Sequence, residues 1–524
     1  MDENTPNLQN EFTQSKKDQE RVNNLLSKEV HEEFLKYKLS LRKNKIHNNL
    51  MEKRIKKDDK NSNIKINNRK KLYEFKKLFE IENIQEAIEK IVSKNSNINY
   101  LKDKKIIEMI HLYSQHLNSN DNVKNILGIN IDKLLNIFSN EIINDINSQF
   151  VDYELFDYYL IIIGNLLIYK KSINDNKDNE YLSLILNILI NNSNLEIYHD
   201  YNFDIINNTL WLIYLYIYFS DNLRIITFPT IIKIVNDLFT NRFFEEMMNF
   251  YSTNKNGQIS LTIIKEILFS CIHIYLSIFE NLLEENKKEK ININIKKEDL
   301  QHCLDILIKM INFEVFKDKF NEDITYIISL ILALTTNELT FNLTQFYEIY
   351  ISLFEKYKDY DYDNKTLSQN LISILYYLIG NYYEDNTFFQ ILNESNIIPI
   401  CIQNYLKNGS TKNIALNALN MIFKYPFHYH KIIIKSINYQ LLDNICEIII
   451  NIDNNEKTIY GCLLILINAY SFLDNNMKNP SNTNILKYFD SKLISKLEQL
   501  LLNDNINICK IASFLYKKFK NIDN

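Results

Sequence analysis

The stretch from Asn386 to Tyr425 decides the fold: NTFFQILNES (386–395), IIPICIQNYLKNG (397–409) and STKNIALNALNMIFKY (410–425). Each segment has apolar residues at helical spacing and ends in a polar corner. Pro399 stands where a second helix begins, a position that tolerates its missing N–H. Ser410 and Thr411 are suited to cap a third helix, because their hydroxyls accept from free backbone N–H groups. The stretch therefore predicts a unit of three consecutive helices.

The next stretch repeats this order. HYHKIIIKSI (428–437), NYQLLDNICEIIINID (438–453) and NEKTIYGCLLILINAYSFLD (455–474) again predict a short, a medium and a long apolar helix. Two consecutive three-helix units of similar length are a repeat signal, and armadillo and HEAT units have about this period, roughly 40 residues.

The long apolar helices recur along most of the chain. They are predicted near residues 115, 165, 215, 275, 331, 381, 420, 468 and 512. One such unit cannot cover its own apolar faces, so neighbouring units must stack and bury a continuous core. We therefore expect residues 72–524 to form an all-α, armadillo-type solenoid of about 9–10 three-helix repeats, a right-handed superhelix with a long inner groove.

The composition argues against other fold classes and against catalysis. The 524 residues include only 6 Gly and 5 Pro, whereas sandwiches, barrels and nucleotide-binding α/β folds need Gly at tight turns and phosphate loops. The 6 Cys are scattered without a zinc-ligand spacing, and His428 with His430 is read as a surface corner. We expect no enzyme activity, no cofactor and no metal.

The most apolar run, Leu210 to Phe219, is too short to cross a bilayer. The N-terminal residues lack the apolar segment of a secretory signal. We expect a soluble, intracellular protein that does not contact a membrane.

Charge is unevenly divided along the chain. Residues 31–71 carry 14 Lys and Arg against 5 Asp and Glu, whereas residues from 72 onward carry 42 basic and 54 acidic residues. This division predicts a disordered N-terminus (1–30), a basic and mostly disordered arm (31–71) and an acidic body. A solvated charged tail and an arm that binds nucleic acid are the alternatives, but the acidic body makes a broad duplex-binding surface a poor expectation.

The basic arm resembles a family segment of known function. Its first cluster is Arg42-Lys43-Asn44-Lys45; seven residues later comes the second, Lys53-Arg54-Ile55-Lys56-Lys57-Asp58-Asp59. This pattern resembles the importin-β-binding segment of importin-α, in which an Arg-rich cluster is followed at the same distance by a pattern like LRKxKRxD. Downstream, Arg69-Lys70-Lys71 stands where that family has a short basic run that imitates a nuclear localisation signal.

A second resemblance lies in the long apolar helices. In importin-α the third helix of each repeat presents a W-x-x-x-N array, whose Asn amides clamp an extended peptide backbone and whose Trp rings stack on lysine stems. Here the Asn positions partly remain and the Trp positions mostly do not. Trp211 is the chain's one tryptophan, and core packing is the alternative to a groove position for its ring. The candidate groove residues are Asn165, Asn208, Trp211, Tyr377, Asn381, Asn420 and Asn468.

The resemblance implies a nuclear-import adaptor with two binding surfaces. An importin-β-type carrier would bind the arm, and basic nuclear-localisation peptides of cargo would bind the groove, where Arg69-Lys70-Lys71 could compete as an autoinhibitory run. An export receptor is a further implied partner, and direct nucleic-acid binding is not expected. The alternative is a general armadillo or HEAT scaffold without an import role. The residues implied to contact the carrier are Arg42, Lys43, Lys45, Lys53, Arg54, Lys56 and Lys57.

Overall fold

A computed structural model describes most of the chain between residues 101 and 520. Throughout these residues the regular structure is α-helical, without strands. The predicted N-terminus and basic arm, with the carrier-binding and autoinhibitory residues, lie outside the described part. The described ranges are 101–115, 131–147, 152–170, 200–219, 224–240, 258–286, 295–311, 319–334, 341–356, 365–382, 385–395, 412–425, 428–438, 440–451, 455–476 and 490–520, with single positions between 88 and 92, 182 and 187, and 399 and 406.

The helices divide between two compact units, with the border after Lys309. The first unit contains α1 (Lys104–Gln115), α2 (Ile131–Asn147), α3 (Tyr153–Lys170), α4 (Asp200–Phe219), α5 (Arg224–Thr240), α6 (Gln258–Asn286) and most of α7 (Lys297–Ile311).

The second unit runs from Met310 to Asn524. It contains α8 (Lys319–Leu334), α9 (Thr344–Lys356), α10 (Lys365–Asn381), α11 (Asn386–Glu394), α12 (Lys412–Lys424), α13 (His430–Asn438), α14 (Leu441–Asn451), α15 (Glu456–Asn476), α16 (Ser491–Leu500) and α17 (Ile506–Lys520).

Within each unit the long apolar helices stack side by side, and we call them the ladder helices. In the first unit α1 packs on α3, α3 on α4 and α4 on α6; in the second the order is α8, α10, α12, α15 and α17. These nine described helices lie where the sequence predicts the long apolar helix of each repeat. The prediction of an all-α helical-repeat fold is confirmed.

The three-helix unit read from the sequence is also present. The second predicted three-helix repeat, residues 428–474, is formed by α13, α14 and α15, which follow one another and pack in that order. The first predicted three-helix repeat, residues 386–425, has α11 and α12 at its ends, and Pro399, Ile402 and Leu406 between them are helical. Short first helices stack on one another as well, α9 on α11 and α11 on α13.

The Asn- and Asp-rich corners start helices by capping them. Asp385 accepts hydrogen bonds from the backbone N–H groups of Thr387 (2.9 Å) and Phe388 (3.2 Å) at the start of α11. Asp152 does the same for Glu154 and Leu155 in α3, at 3.1 and 3.3 Å. Such caps satisfy donors that the first helical turn leaves open. The polar corners therefore define where these helices begin.

Polar side chains also join neighbouring ladder helices. In the second unit Asn370 of α10 donates to the carbonyl of Glu322 in α8 (2.8 Å), and Thr458 of α15 donates to Asn413 of α12 (2.8 Å). Buried polar groups are costly unless they are hydrogen-bonded. These bonds fix the register in which one ladder helix lies against the next.

The α6 helix contains one described segment, Ile264–Leu283, that is long and apolar enough to cross a membrane by length and composition alone. The structure buries 89% of that segment, as happens with core helices of soluble proteins that satisfy the same criteria. The run Leu210–Phe219, which the sequence marks as most apolar, forms the second half of α4.

Gly164 of α3 lies directly against the Trp211 ring of the neighbouring ladder helix α4. A methyl group built on Gly164 of α3 would overlap the ring of Trp211 in α4, coming within 2.8 Å of Cε3 and closer still to two other ring atoms. Trp211 is 3% exposed, so its ring is enclosed and cannot move aside for an added methyl group. Glycine at 164 is therefore required for α3 and α4 to approach.

We predict that Gly164→Ala lowers the free energy of unfolding by about 1–3 kcal/mol, because overpacking a rigid core contact forces side chains and backbone to shift. Gly461→Ala is the matched control, since its added methyl group would meet the nearest side-chain atoms at 3.7 Å, an ordinary contact. We expect the control to be neutral or slightly more stable, as alanine favours a helix over glycine. Urea denaturation of both variants measures the difference, and equal stability of the two would contradict the assignment.

Candidate peptide-binding surface

Three of the predicted groove residues lie on the neighbouring helices α3 and α4. Asn208 of α4 donates its amide to the carboxylate of Asp157 in α3. Trp211 lies one turn further along α4 and packs on Gly164, the residue before Asn165. Asn208 and Trp211 thus lie at the α3–α4 contact, whereas the amide of Asn165 bonds to α1.

The two residues on α4 do not face an open surface. Asn208 is 7% exposed and Trp211 is 3% exposed, and every residue of α4 from Ile205 to Ile217 is buried. The ring of Trp211 occupies the α3–α4 contact, so it is not available in this structure to stack on a lysine stem. Peptide contact by these two residues stays a prediction, while core packing accounts for the position of the ring.

Asn165 lies on a half-exposed surface that α1 and α3 share. We call this surface the α1–α3 strip, and it consists of Glu108 and His111 of α1 with Glu154, Asp157, Tyr158 and Asn165 of α3. Its members on α3 follow helical spacing along one face, and those on α1 are one turn apart. All six side chains are at least partly exposed, although the two helices are otherwise packed together.

Asn165 joins the two helices of the strip. Its amide nitrogen donates to the hydroxyl of Ser114 in α1 at 2.9 Å, and Ser114 in turn donates to the carbonyl of His111 at 2.6 Å. The amide oxygen of Asn165 is an additional acceptor with two lone pairs. The Asn165 side chain is therefore held in place by α1, while its amide oxygen can accept a hydrogen bond from the backbone N–H of a bound peptide.

The strip is acidic, and its charge acts on Tyr158. Burial is the largest of several causes that raise the pKa of Tyr158 to about 12; the carboxylates of Glu108, Glu154 and Asp157 add to it. The hydroxyl thus stays neutral and can donate at physiological pH. Lys104 of α1 forms a hydrogen-bonded ion pair with Glu154 at the same end of the strip.

His111 adds an aromatic face to the strip but no positive charge near neutral pH. Its ring centroid lies 5.0 Å from that of Tyr158, and the two planes are tilted by 35°. Burial lowers the pKa of His111 to about 4, because the charged form loses its hydration. At pH 7 the strip therefore combines three carboxylates with a neutral aromatic pair.

The remaining candidate groove residues lie in the second unit, on the C-terminal halves of α10, α12 and α15. Tyr377 is half-buried, with its ring 5.3 Å from that of Tyr376. Asn381 donates to the carbonyl of Leu332 in α8 at 3.3 Å, and Asn420 donates to that of Gly461 in α15 at 3.4 Å. Asn468 is half-buried on α15.

These side chains do not share the electrostatic character of the α1–α3 strip. The partly exposed residues described at 376–381, 417–424 and 467–471 include no Asp or Glu, and the charged member among them is Lys424. A basic peptide gains little from such a surface, because no carboxylate neutralises its ammonium groups. The acidic side chains described beside a candidate groove residue thus lie in the first unit, and peptide binding in either unit stays a prediction.

The sequence reasoning missed the acidic and aromatic members of the strip. Glu108, His111, Glu154, Asp157 and Tyr158 were not singled out, because α1 and α3 are some fifty residues apart and single charged residues on helices are common. The available signal was the spacing of Glu154, Tyr158 and Asn165, which places them on one face of a helix.

Comparison with known proteins gives helical-repeat folds at low similarity. No protein-family profile matches the sequence, and no curated protein matches it. Among solved structures, importin β in a polyethylene glycol condition gives a TM-score of 0.35 at 8% identity, covering 80% of this chain and 55% of that chain. Importin β in an ammonium sulfate condition gives 0.35 at 9% identity, covering 84% and 52%.

UNC-45 from Drosophila melanogaster gives a TM-score of 0.31 at 11% identity, covering 83% of this chain and 60% of that one. The chain thus spans about half the length of the importin β structures it matches. At these scores the likenesses carry no argument about function.

We predict that His111 makes stability depend on pH between about 6.5 and 4. The unfolded chain binds a proton at the ordinary histidine pKa, whereas the folded protein does so only near 4, so stability falls as pH decreases through this window. From pH 7 to pH 5 the wild type should lose about 1–2 kcal/mol more unfolding free energy than His111→Phe.

Urea denaturation at the two pH values gives the comparison. His430 is exposed, and His430→Phe serves as the control that should follow the wild type. An identical pH dependence in all three proteins would show that His111 is not the group responsible.

Proposed function

We propose that this chain is a nuclear-import adaptor in which the α1–α3 strip binds basic peptides of cargo and the N-terminal arm binds an importin-β-type carrier. The observation that carries the proposal is the gathering of Glu108, Glu154 and Asp157 beside Tyr158 and Asn165 on one partly exposed surface. The same chain carries 14 basic residues at 31–71. The adaptor would work in the cytoplasm and nucleus by binding, without catalysis.

The chemistry of the strip suits an extended peptide that carries lysine or arginine. Carboxylates neutralise the cationic heads, and an aromatic ring offers a face to an aliphatic stem or an ammonium group. The Asn165 amide can accept a hydrogen bond from the peptide backbone, which is independent of the peptide's side chains. Asn208 contributes indirectly, because its bond to Asp157 holds one carboxylate in place.

The arm supplies the second surface in this proposal. Basic segments that fold on binding can cover a large acidic surface on a partner. Lys53, Arg54, Lys56 and Lys57 form the second basic cluster and are the residues proposed to pair with the carrier. Arg69-Lys70-Lys71 are proposed to compete with cargo for the acidic surface, since a tethered ligand has a high effective concentration.

A general helical-repeat scaffold is the second candidate, and a specific observation favours it. Trp211 and Asn208 are enclosed between helices, and the amides of Asn381 and Asn420 bond to neighbouring helices. In this candidate the asparagines serve the stacking of repeats, and the basic arm has another role. The two predictions below distinguish the candidates.

For the arm, we predict that Lys53→Glu, Arg54→Glu, Lys56→Glu and Lys57→Glu combined in the full chain abolish binding to a purified importin-β-type carrier. Charge reversal replaces attraction by repulsion at an acidic partner surface, and like-charge contacts are strongly unfavourable. Binding can be measured by biolayer interferometry at low and high salt, and attraction between exposed charges should weaken as salt increases.

The matched control reverses four exposed lysines of α16 and α17. These are Lys492, Lys510, Lys517 and Lys518. The control changes net charge by the same amount and should retain carrier binding. Equal binding by both variants, or no binding by the wild type, would remove the carrier from the proposal.

For the strip, we predict that Glu108→Gln with Asp157→Asn weakens binding of a fluorescent peptide of five lysines flanked by alanines. Two exposed or half-exposed charge pairs are expected to change affinity by about two- to tenfold. Glu348→Gln with Glu355→Gln, on exposed positions of α9, removes the same charge elsewhere and should leave the affinity near that of the wild type. Fluorescence anisotropy measures all three, and parallel losses in both variants would indicate a non-specific charge effect.

A further inference from the structure

The ion pair between Lys104 and Glu154 places a lysine ammonium on the α1–α3 strip. Lys104 comes from the first turn of α1 and Glu154 from the first turn of α3, fifty residues later in the chain. The two ladder helices thus bring together a cation and an anion that the sequence does not mark as partners. The side chain of Lys104 contacts the same carboxylate that the proposed function assigns to a bound peptide.

The surroundings of Lys104 resemble those of a ligand cation. Glu154 is its direct partner, and the carboxylates of Asp152 and Glu108 lie close enough to act on it electrostatically. The hydrogen bond to Glu154, with those charges, raises the pKa of Lys104. The ammonium therefore stays charged wherever the strip is charged, and it neutralises part of the field that would attract another cation.

The pair is also easily separated. The side chains of Lys104 and Glu154 are 49% and 45% exposed, and ion pairs at such positions are weak because water screens them and both side chains lose freedom. The ammonium of Lys104 stands on a flexible four-carbon stem, so it can leave Glu154 without movement of α1. A lysine of a bound peptide could take the vacated place.

We propose that Lys104 is a built-in competitor that occupies the Glu154 position of the strip until a cationic side chain of a peptide displaces it. This inference rests on the proposed binding of basic peptides. This role makes Lys104 a specificity-determining residue. A single peptide cation only replaces the Lys104–Glu154 ion pair, so a peptide must form more than one ion pair with the strip to gain affinity. Peptides with several adjacent cations satisfy this requirement, while isolated lysines do not.

The test measures affinity of the pentalysine peptide for full-length Lys104→Gln. Removing the internal cation should tighten binding by about two- to fivefold, the range expected when one exposed charge pair no longer has to be broken. Lys104→Arg keeps a cation on Glu154 and should bind no more tightly than the wild type. Lys133→Gln removes a lysine from an exposed position of α2 and controls for the change in net charge, so it should tighten binding less than Lys104→Gln.

The outcomes separate this inference from the proposed function. If pentalysine binds and depends on Glu108 and Asp157, but Lys104→Gln matches the wild type or Lys133→Gln, the competitor role is overturned. If pentalysine binds neither the wild type nor Lys104→Gln, the proposed function itself fails. Circular dichroism shows whether Lys104→Gln and Lys104→Met fold. If both variants are unfolded, the inference is also overturned, because the ion pair would then be required for the fold.

Discussion

Two ladder helices of the first unit, α4 and α6, are apolar around nearly their whole circumference, and this property constrains the rest of the structure. In α4 every residue from Ile205 to Ile217 is buried, so the helix can be stable only with neighbours on all sides. Stacking provides them, since each repeat buries a face that it could not cover alone. The corners between helices must then be polar, which matches the Asp-capped helix starts at Asp152 and Asp385.

The same constraint decides where binding chemistry can lie. Helices such as α4 and α6 present almost no surface, whereas α1 and α3 keep a partly exposed edge. Polar groups on that edge are held by bonds between helices, as Ser114 holds Asn165 and Asn208 holds Asp157. A preorganised row of polar groups loses little freedom when a ligand binds. The stacking contacts therefore support the acidic strip, and its charge distinguishes it from the amide-rich surface of the second unit.

The sequence predicted the ladder but not the direction in which its side chains face. All nine long helices were found from apolar periodicity and polar corners, which are local properties. In a helix as apolar as α4, that periodicity does not distinguish a core face from a groove face, so the buried position of Trp211 could not be inferred. The pairing of Lys104 with Glu154 depends on how α1 packs against α3, and nothing local to either residue indicates it. Asn165 was chosen because its residue type and helix position both fitted the array of importin-α, and its contact with a peptide stays a prediction.

The proposed adaptor binds a basic peptide at the α1–α3 strip rather than elsewhere on the helical body. Hydrogen–deuterium exchange of the full chain, with and without a saturating basic peptide, tests it most directly, because exchange reports protection along every described helix. Binding at the strip should slow exchange in α1 and α3 and leave exchange in α16 and α17 unchanged. Protection confined to the C-terminal halves of α10, α12 and α15, with none in α1 or α3, would contradict it.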